Sequence, residues 1–146
     1  MIKGVDLAGT AGCAAFNLRK TARVVSQTFD AALRQAGLRS TQFSVLVAVA
    51  KAQPAPIGAL AELTLMDATT MTRNLALLRA AGLVEIAARG KAREKQVRLS
   101  KKGEHALARS VPLWRATQSR FERALGAQEW RRLRVQLEHV ARLRVE

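Results

Sequence analysis

The chain has no tyrosine, a single cysteine and three prolines in 146 residues. One cysteine, Cys13, rules out an intramolecular disulfide framework and fits a reducing compartment. With no second thiol, and with His105 and His139 far apart, a zinc cluster has no ligand set, so no metal and no cofactor is expected. No nucleophile elbow or glycine-rich phosphate loop is present to frame Ser/His/Asp chemistry. The chain therefore does not read as an enzyme, and no catalytic residue is assigned. No apolar run approaches the length of a membrane span. Residues 1–12 lack the charged start and continuous apolar core of a secretory signal, which predicts a cytoplasmic protein without a membrane partner.

Acidic residues are also scarce, 11 against 25 Lys and Arg. The resulting formal charge of +14 and pI near 11.6 point to a polyanion, most often nucleic acid and less often an anionic membrane surface. The charge is unevenly placed. Residues 88–102 carry Arg89, Lys91, Arg93, Lys95, Arg98, Lys101 and Lys102 against Glu94 alone, a net of +6. Residues 41–87 balance to zero. Hydrophobic residues make up 49% of the chain, enough to expect one folded domain rather than disorder, and Ala, Leu and Arg dominate, which favours helices.

Residues 1–11 read as a flexible or extended arm. From about Cys13 to Ala36 the spacing of Phe16, Ala22, Val25, Phe29 and Leu33 predicts a helix that Gly37 stops. Ser40 or Thr41 is expected to cap a second helix, burying Phe43, Leu46, Val47 and Ala50. Gln53-Pro54-Ala55-Pro56 breaks the chain, and a short helix from Ile57 to Leu63 follows. After a brief turn a helix is predicted over 67–81, with Asp67 as N-cap, Gly82 as stop and Ala68, Met71, Leu75 and Leu78 on its buried face. Its outer face carries Thr69, Arg73, Ala76 and Ala80, flanked by Thr70 and Leu77. Alone, such a helix is either an ordinary amphipathic helix or one able to press into a major groove. Two helices joined by so short a turn make a helix-turn-helix pattern.

Leu83 to Ala87 and Gln96 to Leu99 alternate like strands. Between them residues 88–95 are polar and basic, with one glycine. The segment is a solvated loop in isolation, but after a helix-turn-helix it reads as a wing whose Arg89, Lys91, Arg93 and Lys95 face phosphates or a narrow minor groove. Ser100 then caps a long helix running to about Leu125, interrupted or bent near Pro112, and Gly126 breaks it. A last helix, about 127–144, lines up Trp130, Leu133, Leu137 and Val140 in a narrow seam. That seam is covered either within the chain or by packing on the first helix and on the same pair from a second copy.

In order and spacing, residues 37–46, Leu60-Ala61-Glu62-Leu63, Met66 to Leu75, Ala81-Gly82-Leu83-Val84 and Val97 to Gly103 resemble the MarR family of bacterial transcriptional regulators over about residues 13–146. The resemblance implies a mainly α (α+β) winged helix-turn-helix with a two-stranded wing hairpin, in a single chain spanning 1–146. Residues 13–36 and 104–146 would supply dimerisation helices, and 38–103 the DNA-binding region. It also implies a homodimer held by the terminal helices, Phe16, Trp130, Leu133, Leu137 and Val140 among them. That dimer would repress a promoter through double-stranded DNA with a pseudo-palindromic operator, relieved by a small-molecule effector in the cleft between the dimerisation helices and the winged helix.

Carried over by position, Thr69, Thr70, Thr72 and Arg73 match recognition-helix residues of the family, and Arg93 matches its wing arginine. The family's wing usually places an Asp two residues before that arginine; here the position is Lys91, so the stiffening ion pair is absent and the tip is more positive. Some relatives sense peroxide through a cysteine near the start of the first helix. By alignment on Arg23 that position is Ala15, two residues after Cys13. The alternatives to an effector-relieved repressor are an architectural DNA-binding protein without a ligand and a redox-responsive regulator using Cys13.

Overall fold

The structure is a computed structural model that describes residues 6–89 and 94–143, with Arg89 described in its backbone only. Six helices surround a small antiparallel sheet: α1 (Ala14–Leu33), α2 (Ser40–Ala52), β1 (Ala55–Pro56), α3 (Ile57–Thr64), α4 (Ala68–Ala80), β2 (Val84–Arg89), β3 (Glu94–Leu99), α5 (Lys101–Leu125) and α6 (Ala127–Arg142). Short 3-10 turns at Thr10–Gly12 and Arg34–Ala36 flank α1. A turn therefore occupies part of the segment expected to be an extended arm.

The core lies where α2, α3, α4 and the sheet meet. Val45, Leu46 and Val49 of α2, Leu60 of α3, Met71, Leu75 and Leu78 of α4, and Val97 of β3 have essentially no exposed surface. Each of these side chains stabilises the fold by roughly 1.5–3 kcal/mol relative to exposure. The spacing of Met71, Leu75 and Leu78 is what rolls α4 so that its other side faces outward. Ala68, expected on the buried face, is exposed because it sits in the first turn, beyond the reach of the α2–α3 surface.

The sheet order is β1-β3-β2. β1 does not appear in the sequence pattern, which at Gln53–Pro56 shows only a break; two residues offer no alternation to detect. It pairs Ala55 with Val97 and Pro56 with Gln96 at the sheet edge, where a proline's missing N–H costs no ladder bond. The Gln53 side chain extends this edge by accepting the Leu99 amide at 2.7 Å. β2 and β3 run two residues further toward the tip than the alternation predicts, as far as the Arg89–Glu94 pair.

The cap of α2 also differs from expectation. Ser40 is its first residue and Arg39 its N-cap. The Arg39 amide donates to Gln42 Oε1 (2.9 Å), and the Ser40 amide donates to Asp30 Oδ1 of α1 (2.6 Å). A full carboxylate is the better acceptor for an orphan amide at a positive helix end, so Asp30 takes the place foreseen for a hydroxyl.

α1 packs along α5 and, by its C-terminal half, on α2. Leu33 is fully buried, whereas Phe16 and Val24 are about three-fifths exposed (60% and 59%). α6 packs on α5, with Trp130 edge-on to Phe121 at 5.4 Å. Covering of the α6 seam by α1 within one chain is not what is seen: Leu133, Leu137 and Val140 remain 37–41% exposed. Among the described residues no helix is long and apolar enough to cross a membrane, and no group of three or more potential metal ligands occurs.

Candidate nucleic-acid interface

The geometry of α4 begins at its cap. Asp67 accepts the Thr70 amide through Oδ1 (2.8 Å) and the Thr70 hydroxyl through Oδ2 (2.6 Å). These hydrogen bonds, the hydroxyl first, hold the Asp67 carboxyl below the usual carboxylate range. The pair sets the first turn, so the side chains that follow leave the helix in fixed directions.

Thr69, Thr70, Thr72 and Arg73, the four helix positions singled out in the sequence, are all exposed. Their functional groups are not equally free. The Thr70 hydroxyl donates a hydrogen bond to Asp67, and the Thr72 hydroxyl donates to the Ala68 carbonyl at 2.7 Å. The side chains of Thr69 and Arg73 have no hydrogen-bond or ion-pair partner among the described residues, leaving a hydroxyl and five guanidinium N–H donors available.

Beside this face runs a groove of about 550 Å³ between α4 and the wing strands. Thr72, Ala76 and Arg79 form its helix wall, and Ile86, Ala88 and Lys95 its sheet wall. Lys95, expected at the wing, therefore lines the same groove as Arg79, which sequence reasoning passed over. The signal was present: Thr72, Ala76 and Arg79 recur at i, i+4 and i+7, one stripe of a helix. Neither Arg79 nor Lys95 has an ion-pair partner among the described residues. Arg89 stands opposite Glu94 in the ladder register. Lys91 and Arg93, the tip residues, lie outside the described residues.

Two cations of the basic segment have other tasks. Arg98 pairs with Glu85 across the strands through Nη2 (2.6 Å) and Nε (2.8 Å). Lys102 donates from Nζ to the Ala81 carbonyl at 2.8 Å, where a positive charge suits the C-terminal end of α4. Lys102 belongs to a clasp between α4 and α5. Ser100 caps α5 by accepting the Gly103 amide (3.0 Å) and also donates to the Gly82 carbonyl (2.6 Å). Gly82 turns the chain at φ +72°, and a Cβ on Gly103 would overlap the Leu83 carbonyl oxygen. The end of α4 and the start of α5 are thus joined at backbone contact.

The remaining predicted positions lie away from this face. Phe16 is exposed on α1, and Trp130, Leu133, Leu137 and Val140 follow one another along α6. Cys13 is exposed immediately before α1. Between α1, α2 and α5 there is a smaller cleft of about 230 Å³, where the rings of Phe43 and Trp114 stack at 6.0 Å.

Comparison with known proteins agrees with this geometry. Residues 36–94, which contain α2 to β2, match the model of the MarR family. Among curated proteins no match is found. Of solved structures, the M. tuberculosis transcriptional regulator MosR in complex with DNA is 37% identical, with a TM-score of 0.80 over 88% of this chain and 93% of that one. The transcriptional repressor CouR bound to a 23-mer DNA duplex is 22% identical, with a TM-score of 0.81 over 94% and 99% of the two chains. CouR from Rhodococcus jostii RHA1 bound to p-coumaroyl-CoA is 21% identical, with a TM-score of 0.73 over 90% and 94%. The last two likenesses concern the fold.

Proposed function

The chain belongs to the MarR family of DNA-binding transcriptional regulators, not to a family of enzymes, and from this we propose that it is a homodimeric repressor of a pseudo-palindromic operator, relieved by a small-molecule effector. The observation that carries the proposal is the outward face of α4, with unpartnered Thr69 and Arg73 beside a groove whose far wall brings in Lys95. α4 discriminates between sequences: a hydroxyl and a guanidinium on a nearly neutral helix read base edges in the major groove. The wing, with Arg89, Lys91, Arg93 and Lys95, supplies charge to the flanking phosphates or minor groove. Thr70 and Thr72 contribute mainly by setting the first turns of α4.

Dimerisation is supported by the apolar surface left open on α1 and α6, which includes Phe16, Leu133, Leu137 and Val140. A two-fold pair covers both copies of that surface and presents two copies of α4 to one side of a duplex. The likeness to a repressor bound to DNA and to a regulator bound to a CoA ester supports both repression and relief, and the Phe43–Trp114 cleft is the place for an effector. The working compartment is the cytoplasm, where the promoter is.

Selection of bound fragments from random DNA, followed by footprinting, tests this reading. The expected result is two related half-sites centred about 10–10.5 base pairs apart, as two recognition helices of one dimer require. Binding without sequence preference would replace the repressor by an architectural protein. With the selected site placed in a promoter, the chain is expected to lower reporter output.

A further inference from the structure

Three helical segments of this chain end in the same hydrogen-bonded motif, and one of the three departs from its usual residue. At the end of α4 the Leu83 amide donates to the Leu78 carbonyl (2.8 Å) and the Gly82 amide to that of Arg79 (2.9 Å), with Gly82 at φ +72°. After α1 the Leu38 amide donates to Leu33 (3.2 Å) and the Gly37 amide to Arg34 (3.0 Å), with Gly37 at φ +77°. After α3 the Met66 amide donates to Ala61 (3.0 Å) and the Leu65 amide to Glu62 (3.2 Å). Here the left-handed residue is Leu65, at φ +53°. Glycine is the ordinary occupant, because in this conformation a Cβ crowds the following carbonyl. Leu65 is the one non-glycine residue with positive φ among the described residues.

The leucine gains nothing for the fold. Its side chain is 72% exposed, the highest value among the exposed large apolar side chains described. The apolar contact that accompanies such a motif comes from Met66, which packs against the core. Leu65 thus combines a strained backbone with open apolar surface, and strain of this kind gathers where a partner is contacted.

We infer that Leu65 is a DNA-contacting residue, its isobutyl group closing on apolar atoms of the duplex, a thymine methyl or a deoxyribose edge. This rests on the reading of α4 as the recognition helix and adds a contact from the turn that precedes it. Position argues for the duplex. Leu65 lies two residues before the Asp67 cap, so their Cα atoms are at most about 7 Å apart. Thr69 and Arg73 follow within the first two turns of α4. A duplex seated on them passes Leu65 at side-chain range, where the major groove offers thymine methyls. Size argues against a protein. Leu63 in the last turn of α3 is also exposed, but these two leucines fall far short of the area of about 800 Å² that a specific protein partner covers.

The test pairs thermal melting with fluorescence anisotropy of the full chain on the duplex selected as above, for Leu65→Gly, Leu65→Asn and Leu65→Met. Glycine and asparagine suit the left-handed conformation and lack the apolar group. Methionine keeps both the apolar group and the strain. Stability and affinity are therefore expected in opposite orders. Leu65→Gly and Leu65→Asn melt about 2–4 °C higher, yet bind the duplex about tenfold more weakly. Leu65→Met stays close to the unmodified chain in both. Replacing dT by dU separates the two contacts. With a methyl contact the unmodified chain loses affinity that Leu65→Gly does not lose, and with a sugar contact both lose alike. Unchanged affinity in Leu65→Gly and Leu65→Asn, or affinity that falls together with melting temperature, would overturn the inference. Arg73→Ala, run beside them, keeps the two readings apart: if it weakens binding and Leu65→Gly does not, α4 reads the duplex without the turn.

Discussion

Asp67 places a negative charge at the N-terminal end of α4, and both of its oxygens are engaged by Thr70. The carboxylate is therefore part of the helix more than part of the surface potential. Its folded-state pKa is depressed, so the stabilisation it provides is present above the unfolded value of about 3.9 and is lost as pH falls through the lower folded value. Asp67→Ala is expected to lower the melting temperature at neutral pH and to leave stability less steep on the acid side. Urea titrations at several pH values check this. At the DNA face, Arg73→Ala is expected to cost about 1–3 kcal/mol on the preferred operator and less on mismatched ones, because a guanidinium that reads a base discriminates as well as attracts. Competition between operator and scrambled duplex measures that difference. Lys91→Ala should behave otherwise: all sequences weaken alike, and the slope of log K against log salt drops by about one, the signature of a lost phosphate contact. A salt titration showing changed sequence preference would remove Lys91 from that role.

Elements meet most closely where α4 ends and α5 begins. Glycine in an exposed helix interior ordinarily costs about 0.5–1 kcal/mol relative to alanine. Gly103 inverts this expectation, because its missing Cβ makes room for the Leu83 carbonyl at the strand entry. Gly103→Ala is expected to destabilise the fold by about 1–3 kcal/mol, since backbone cannot swing aside as a side chain can. Differential scanning calorimetry gives the value, and an unchanged or raised melting temperature would mean the helix start yields freely. The same joint accounts for Lys102. In the sequence it belongs to a run of phosphate-seeking cations, whereas in the fold its ammonium lies on the Ala81 carbonyl. Arg98 is likewise diverted to Glu85, in an exposed pair worth at most about 1 kcal/mol by itself. Among the described side chains of the basic segment, Lys95 is thus the cation left without an ion pair or hydrogen bond.

Across the whole molecule, residues 41–87, which carry no net charge, supply most of the core and all of α4, and cations flank them on both sides in the sequence. The α6 seam is open in the single chain, so a charge placed there has little to disturb until a second copy arrives. Leu137→Glu is expected to leave the circular dichroism spectrum and the fold of the chain intact while shifting it to a monomer in sedimentation. Operator affinity should fall with it, because one recognition helix then binds one half-site. A dimer that persists in the Leu137→Glu protein would place the interface elsewhere.

What the sequence determined by itself is the part governed by local periodicity and caps. The helices from Ala14 to Leu33, Ile57 to Thr64 and Ala68 to Ala80, the Asp67 and Ser100 caps, the Gly82 stop and the strand alternation after it were all legible, as were family and outward face. These depend on neighbours within about four residues, and the residue types announce them. Tertiary structure alone decided which polar groups stay free. Asp30 reaches across ten residues to cap α2, Gln53 reaches forty-six to complete the β3 edge, and Lys102 donates a hydrogen bond to the end of α4. It likewise decided that Arg79 and Lys95 line one groove and that Phe43 stacks on Trp114. Such pairings are set by how elements pack, and sequence spacing carries no record of a partner so far along the chain.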